Sequence, residues 1–209
     1  MKVLVIGASR GIGLEILKEG LALGHDMSAL VRDPSRMPLK VGGLKIIDGD
    51  ILDKESVDEA MDRQDAVCIS IGIKPTRKLV SVFSEGTKIV IESMKEHSCK
   101  SLLCVTGIGA GDSRGHGGFF YDKIFNPFFL KTIYEDKNRQ EQIVRQSGLD
   151  WTIVRPGFLT NGPKSGKYRV VKDLTGLTSK KISRADVADF MIKEISDRRH
   201  VGDAVLLTY

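Results

Sequence analysis

The chain begins with an apolar run, Met1-Lys2-Val3-Leu4-Val5-Ile6, and passes at once into Gly7-Ala8-Ser9-Arg10-Gly11-Ile12-Gly13. The pattern then turns helical through Leu14, Ile16, Leu17, Leu21 and Leu23. A strand, a glycine-rich turn and a helix in that order make a seat for a pyrophosphate. Gly7 takes the tight turn, Gly11 lets the backbone approach the phosphates, and Gly13 lets the helix pack close to the strand. The N–H groups of the first helical turn have no partner within the helix and carry partial positive charge toward the anion. Gly7, Ala8, Ser9, Arg10, Gly11, Ile12 and Gly13 are therefore the expected pyrophosphate-binding residues.

Strand and helix signals alternate along the rest of the chain. Strands are predicted at 2–6, 27–31, 44–47, 66–71, 102–105, 151–154 and 204–209. Helices are predicted at about 12–23, 56–61, 79–96, 131–147 and 183–195. Short all-apolar strands between helices imply a parallel sheet covered on both faces. The expected fold class is α/β: a single domain over 1–209, doubly wound, in a Rossmann-like three-layer sandwich.

The 209 residues are enough for one such domain with a sizeable core. Net charge is +5, but no block of five or six like charges occurs, so nucleic-acid binding is not expected. No run of 18 apolar residues is present, and the apolar start reads as a strand and not as a secretory leader. Cys68, Cys99 and Cys104 lack metal-ligand spacing, and their odd number fits a reducing, cytoplasmic setting. No metal and no membrane partner are expected.

The nucleotide is read at the end of the second strand, which reaches the adenine ribose. An acidic residue there would take the 2′-hydroxyl and favour NAD. This chain has Arg32, in Leu30-Val31-Arg32-Asp33-Pro34. A guanidinium suits a 2′-phosphate, and Arg10 lies within reach of the same group. Asp33 could serve the ribose hydroxyl instead. NADP is preferred over NAD.

These residues resemble the short-chain dehydrogenase/reductase superfamily. Gly7 to Gly13 is similar to its classical branch. Gly148-Leu149-Asp150-Trp151-Thr152-Ile153-Val154-Arg155-Pro156-Gly157 is similar to its atypical branch, with the NmrA-like proteins and the biliverdin/flavin reductases. The resemblance implies that Asp50 and Ile51 meet the adenine. It implies that Ser70, Ile71 and Gly72 line the adenine ribose, and that Pro156, Gly157 and Phe158 meet the nicotinamide end. Active members pair a tyrosine with a lysine four residues later, on one helix face, so that the ammonium lowers the phenol pKa. Here Lys137 holds the lysine position, but Ile133 stands at the tyrosine position. Tyr134 is turned about 100° away on the helix. Tyr168 and Lys172 fit the spacing but fall in a β-like stretch and are read as a decoy. Thr106 matches the family's Ser/Thr after the fifth strand. Gly107 and Phe158 stand where the biliverdin/flavin reductases carry serine and histidine.

The segment 107–130 opens with Gly107, Gly109, Gly111, Gly115, Gly117 and Gly118 and then runs into Phe119, Phe120, Tyr121, Phe125, Phe128 and Phe129. Lying beyond the strand ends, it reads as a lid over a flat aromatic acceptor, or as a homodimer contact or an apolar plug. His116 and Tyr121 are the candidate proton donors within it.

Together these features point to an NADPH-dependent reductase acting on a small, planar, conjugated acceptor: a flavin, a quinone or a tetrapyrrole. Thr106 and Lys137 would orient the nicotinamide end, with His116 or Tyr121 as proton source. The alternative is an NADP-binding sensor or scaffold without turnover, motivated by Ile133. A nucleotide-sugar epimerase is disfavoured, since the chain is short for the substrate domain such enzymes add.

Overall fold

The expected alternation is present in the structure, a computed structural model that describes residues 1–118 and 130–209. The strands are β1 (Lys2–Ile6), β2 (Asp26–Val31), β3 (Leu44–Asp48), β4 (Ala66–Ile69), β5 (Ser101–Val105), β6 (Asp150–Pro156), β7 (Phe158–Thr160), β8 (Arg169–Val171), β9 (Lys181–Ser183) and β10 (Ala204–Thr208). The helices are α1 (Gly11–Ala22), α2 (Lys54–Met61), α3 (Val82–Glu96), α4 (Lys131–Arg145) and α5 (Arg184–Asp197). The main sheet has eight strands in the order β3-β2-β1-β4-β5-β6-β10-β8, and a separate pair joins β7 to β9. All pairings in the main sheet are parallel except β10 with β8.

Alternation along each strand sends side chains to two different cores. Val3, Val5, Ala66, Cys68, Leu103 and Val105 pack on the side that also holds Ile16 and Leu17 of α1 and Val187 and Met191 of α5. Leu4, Ile6, Val67, Ile69, Leu102 and Cys104 pack on the other side, with Val57 and Met61 of α2 and Val90 and Met94 of α3. Both sheet faces are therefore dry, which is why the strands read as continuous apolar runs. Among the described residues, no helix is long and apolar enough to cross a membrane.

Capping explains several helix starts. Asp53 accepts from the Ser56 amide at the start of α2, and Ser183 accepts from the Asp186 amide at the start of α5. The start of α3 is capped from another helix: Asp136 of α4 accepts from the Phe83 amide at 2.8 Å and from the Ser84 hydroxyl at 2.5 Å. That cross-helix cap fixes α3 against α4. It also explains why α3 begins at Val82 and not at residue 79.

Candidate functional site

Strand order reverses between β1 and β4: the chain builds outward through β2 and β3, then returns to the other side of β1. In an open α/β sheet this reversal parts the loops beyond the strand ends and leaves a crevice there. A cleft of about 1000 Å³ occupies that place, lined by the loops that follow β1 to β6. Ligand clefts run to roughly this volume.

Its floor is the glycine turn. Gly7 has φ +87°, and a Cβ on it would strike the Ser70 carbonyl, so only glycine lets β1 and β4 close up beneath the cleft. A Cβ on Gly13 would strike the Gly7 carbonyl, so α1 leaves the strand at the closest possible approach. Arg10 gives α1 no side-chain cap, and the first turn carries no acidic residue. The leading amides of α1 thus remain donors facing the cleft, suited to an anion.

Among the expected cofactor residues, Gly7, Ala8, Ser9, Arg10, Gly11, Ile12, Arg32, Asp50, Ile51, Ser70, Ile71, Gly72, Thr106, Lys137 and Pro156 all line this cleft. Gly13 lies just behind it in the packing role described above. Ser70 and Ile71 are loop, not strand, because β4 stops at Ile69. Two expected residues are displaced. Gly157 donates its amide to Leu207, and a Cβ on it would meet the Lys180 carbonyl and the Ser179 hydroxyl, so it serves packing. Phe158 opens β7, pairs with Lys181 and does not line the cleft; Leu159, the next residue, does.

On the β2 side of the cleft, Arg32 is mostly exposed, with its Nε 4.0 Å from Asp50 Oδ2. Arg36, which the sequence reading passed over, also lines the cleft. It pairs with Asp33 at 3.0 Å. Asp33 itself is occupied as a local cap, accepting from the Ser35 amide and from the Ser35 hydroxyl at 2.5 Å. That hydroxyl holds the Asp33 carboxyl below its ordinary range.

At the other end, Thr106 donates its hydroxyl proton to Glu141 Oε1 at 2.7 Å. Glu141 is held in turn by Arg155, whose Nε and Nη2 lie 2.9 and 2.5 Å from its two oxygens. All three side chains are buried. Arg155 reaches further to Asp112 at 2.5 Å, while Asn138 of α4 accepts from the Gly111 amide at 2.8 Å. One buried network thus fixes Thr106 and the first turn of the segment after β5. Since the Thr106 proton is taken, its oxygen offers the cleft a lone pair and no donor.

Lys137 stands beside Thr106, buried, with Nζ 3.4 Å from the Val105 carbonyl and 4.4 Å from the Phe83 ring centroid. Burial pushes its ammonium down to about 8, against smaller opposing effects of Cys104, Glu141 and Asp136. Ile133, at the position where the family's tyrosine was expected, sits in an apolar cluster with Val80 and Phe83. The Tyr134 hydroxyl lies 3.0 Å from where a Cβ on Gly107 would stand. Tyr168 donates to Asp189 at 2.8 Å and Lys172 pairs with Asp203 at 2.6 Å, and neither lines the cleft, in accord with the reading of that pair as a decoy.

His116 does not line the cleft. Its Nδ1 lies 2.9 Å from the Leu177 carbonyl and its own carbonyl accepts from Ser179, so it ties the glycine-rich stretch to the segment before β9. Tyr121 and the phenylalanines from 119 to 129 lie outside the described residues.

This is the fold and cleft of a dinucleotide-binding protein, and sequence comparison agrees. Residues 7–198 match the NAD(P)H-binding family, and the chain belongs to it. A relative is YwnB, an uncharacterised protein of Bacillus subtilis, 27% identical over 204 residues, 96% of this chain and 93% of that protein. The fold is similar to that of ChuY, described as an anaerobilin reductase from Escherichia coli O157:H7 (TM-score 0.83, 22% identity, covering 100% of this chain and 97% of that one). It is equally similar to a short-chain dehydrogenase/reductase from Veillonella parvula solved with NADP (TM-score 0.83, 13% identity, covering 100% and 94%).

Proposed function

We propose that the protein is an NADPH-dependent reductase of the atypical short-chain dehydrogenase/reductase type, delivering hydride to a planar, conjugated acceptor such as a flavin, a quinone or a tetrapyrrole. The observation that carries this reading is the distribution of side chains along one cleft. Arg32 and Arg36 follow β2 on one side of it, Arg10 lies in the turn after β1, and Thr106 after β5 and Lys137 of α4 line the other side. The arginines suit a 2′-phosphate, and Asp33, the residue that would favour NAD, is engaged by Ser35 and Arg36. The Veillonella protein's complex with NADP and ChuY's description as an anaerobilin reductase support cofactor and acceptor class respectively.

When bound, the cofactor supplies the hydride. The chain's own residues bind and orient. The glycine turn and α1 amides hold the pyrophosphate. Thr106 accepts a hydrogen bond from the nicotinamide ribose or amide, and Lys137 donates one. The candidate proton donors are Tyr121 and, from outside the cleft lining, His116. With Nδ1 of His116 held by a carbonyl, the ring donates outward only from its doubly protonated form. The 107–130 segment is the proposed lid over the acceptor, with a homodimer contact as the alternative use of its aromatic residues. A cytoplasmic setting belongs to the same reading, carried by three free, buried thiols.

A sensor or scaffold without turnover is the second reading, favoured by the apolar burial of Ile133. Mixing the purified protein with NADPH and, in turn, a quinone, a flavin and a bilin separates the two. Acceptor-dependent loss of NADPH absorbance is expected. NADPH binding with no oxidation by any acceptor class would leave the sensor.

A further inference from the structure

The glycine turn has a neighbour from the far end of the chain. Arg184, the first residue of α5, carries its guanidinium to the open side of Gly11: a Cβ on Gly11 would meet Arg184 Nε at 3.9 Å and, among the described residues, no other atom beyond its own turn within contact distance. Gly11 has φ +63° and opens α1, and a glycine at such a helix start lets the backbone approach a phosphate closely. Arg184 lines the dinucleotide cleft and also a second cavity of about 450 Å³ behind it, forming part of the wall between them.

The side chain is aimed by construction. Arg184 Nη1 donates to Asn161 Oδ1 at 2.7 Å. Asn161 follows β7 and Arg184 follows β9, and those two strands pair in parallel with Thr160 opposite Ser183. The small two-stranded sheet therefore sets Asn161 and Arg184 side by side, both on the cleft. The charge is also uncompensated. Arg32 and Arg36 each face an aspartate, but no carboxylate among the described residues lies within ion-pairing distance of Arg184. A partly buried, oriented cation beside a glycine turn calls for an anion between them.

We infer that Arg184, positioned by Asn161, closes the pyrophosphate site from the side opposite the glycine turn, making the β7–β9 sheet part of cofactor recognition. The inference rests on the dinucleotide reading and assigns a separate residue to a separate part of the ligand. Arg184 grips the diphosphate common to NADPH and NADH, while Arg32 and Arg36 read the 2′-phosphate that only NADPH carries.

Four probes isolate the two contributions: NADPH, NADH, ADP, and adenosine 2′-monophosphate, which has no diphosphate. In Arg184→Ala, affinity for NADPH, NADH and ADP should fall by about tenfold to a hundredfold, with adenosine 2′-monophosphate unchanged. In Arg32→Ala the pattern should invert, with loss for NADPH and adenosine 2′-monophosphate only. Unchanged adenosine 2′-monophosphate binding doubles as proof that the variant is folded. If Arg184→Ala does not fold, Arg184→Gln removes the charge while keeping a polar side chain of intermediate length on the same backbone. NADH and ADP affinities within about twofold of wild type, or a parallel fall for all four probes, would overturn the inference while leaving the dinucleotide site intact. Wild-type protein that binds none of the four would overturn the dinucleotide reading itself.

Discussion

Lys137 shows how one residue's surroundings redefine its chemistry. An ordinary lysine stays charged far above neutral pH, but this one is buried against Val105 and Phe83 and titrates near 8. Its folded-state pKa lies below the unfolded value of 10.5, so the penalty for burying the charge is full below pH 8. That penalty is relieved as pH rises from about 8 to 10.5, where the unfolded chain binds more protons than the folded one. Comparing urea midpoints of wild type and Lys137→Met should show the variant's advantage shrinking across that window, by up to about 3 kcal/mol. A difference that stays constant from pH 7 to 10.5 would mean the amine is not desolvated. At the residue scale the sequence was legible where backbone geometry requires a type, as at Gly7 and Gly13. It did not reveal Arg36 and Arg184, since no spacing rule links an arginine at a late helix start to a turn at residue 11.

Between elements, the link from β5 through α4 to β6 does the most to shape the cleft. Glu141 of α4 accepts from Thr106 just past β5 and from Arg155 in β6, and Arg155 continues to Asp112. Both members of the central pair are buried, so removing Glu141 leaves Arg155 with the exposed Asp112 as its remaining carboxylate among the described residues. Glu141→Gln should cost about 3–5 kcal/mol, and the double change Glu141→Leu with Arg155→Leu should recover much of that. Chemical denaturation of the three proteins measures it; a loss under about 1 kcal/mol in Glu141→Gln would show that water or another group takes the charge. The long elements were legible in the sequence because their period and apolar content agree with their burial. The short strands β7 and β9 were not, and β8 showed only as the β-like stretch at 168–172. Each has three residues, too few for a period, and each exists because a neighbour fixed elsewhere offers it an edge. Phe158 was misplaced for the same reason: the start of β7 turns Leu159, one residue on, toward the cleft.

Taken whole, the molecule is a reversal in strand order with cations, Arg10, Arg32, Arg36, Lys137 and Arg184 among them, set along the cleft it opens. The doubly wound topology could be expected from alternating elements, and the cleft follows from the reversal between β1 and β4. What topology alone does not supply is the contribution of the C-terminal quarter, where β9 and α5 return to the glycine turn and β10 joins the sheet beside β6. In the proposed function this cleft takes a dinucleotide and distinguishes its 2′-phosphate. Fluorescence titration with NADPH and NADH, in wild type and Arg32→Ala, tests it most directly. Charge-assisted hydrogen bonds of roughly 1.5–3 kcal/mol predict NADPH binding about tenfold to a hundredfold tighter than NADH, with most of that margin lost in Arg32→Ala. Equal affinities for the two cofactors, or a margin indifferent to Arg32, would contradict it.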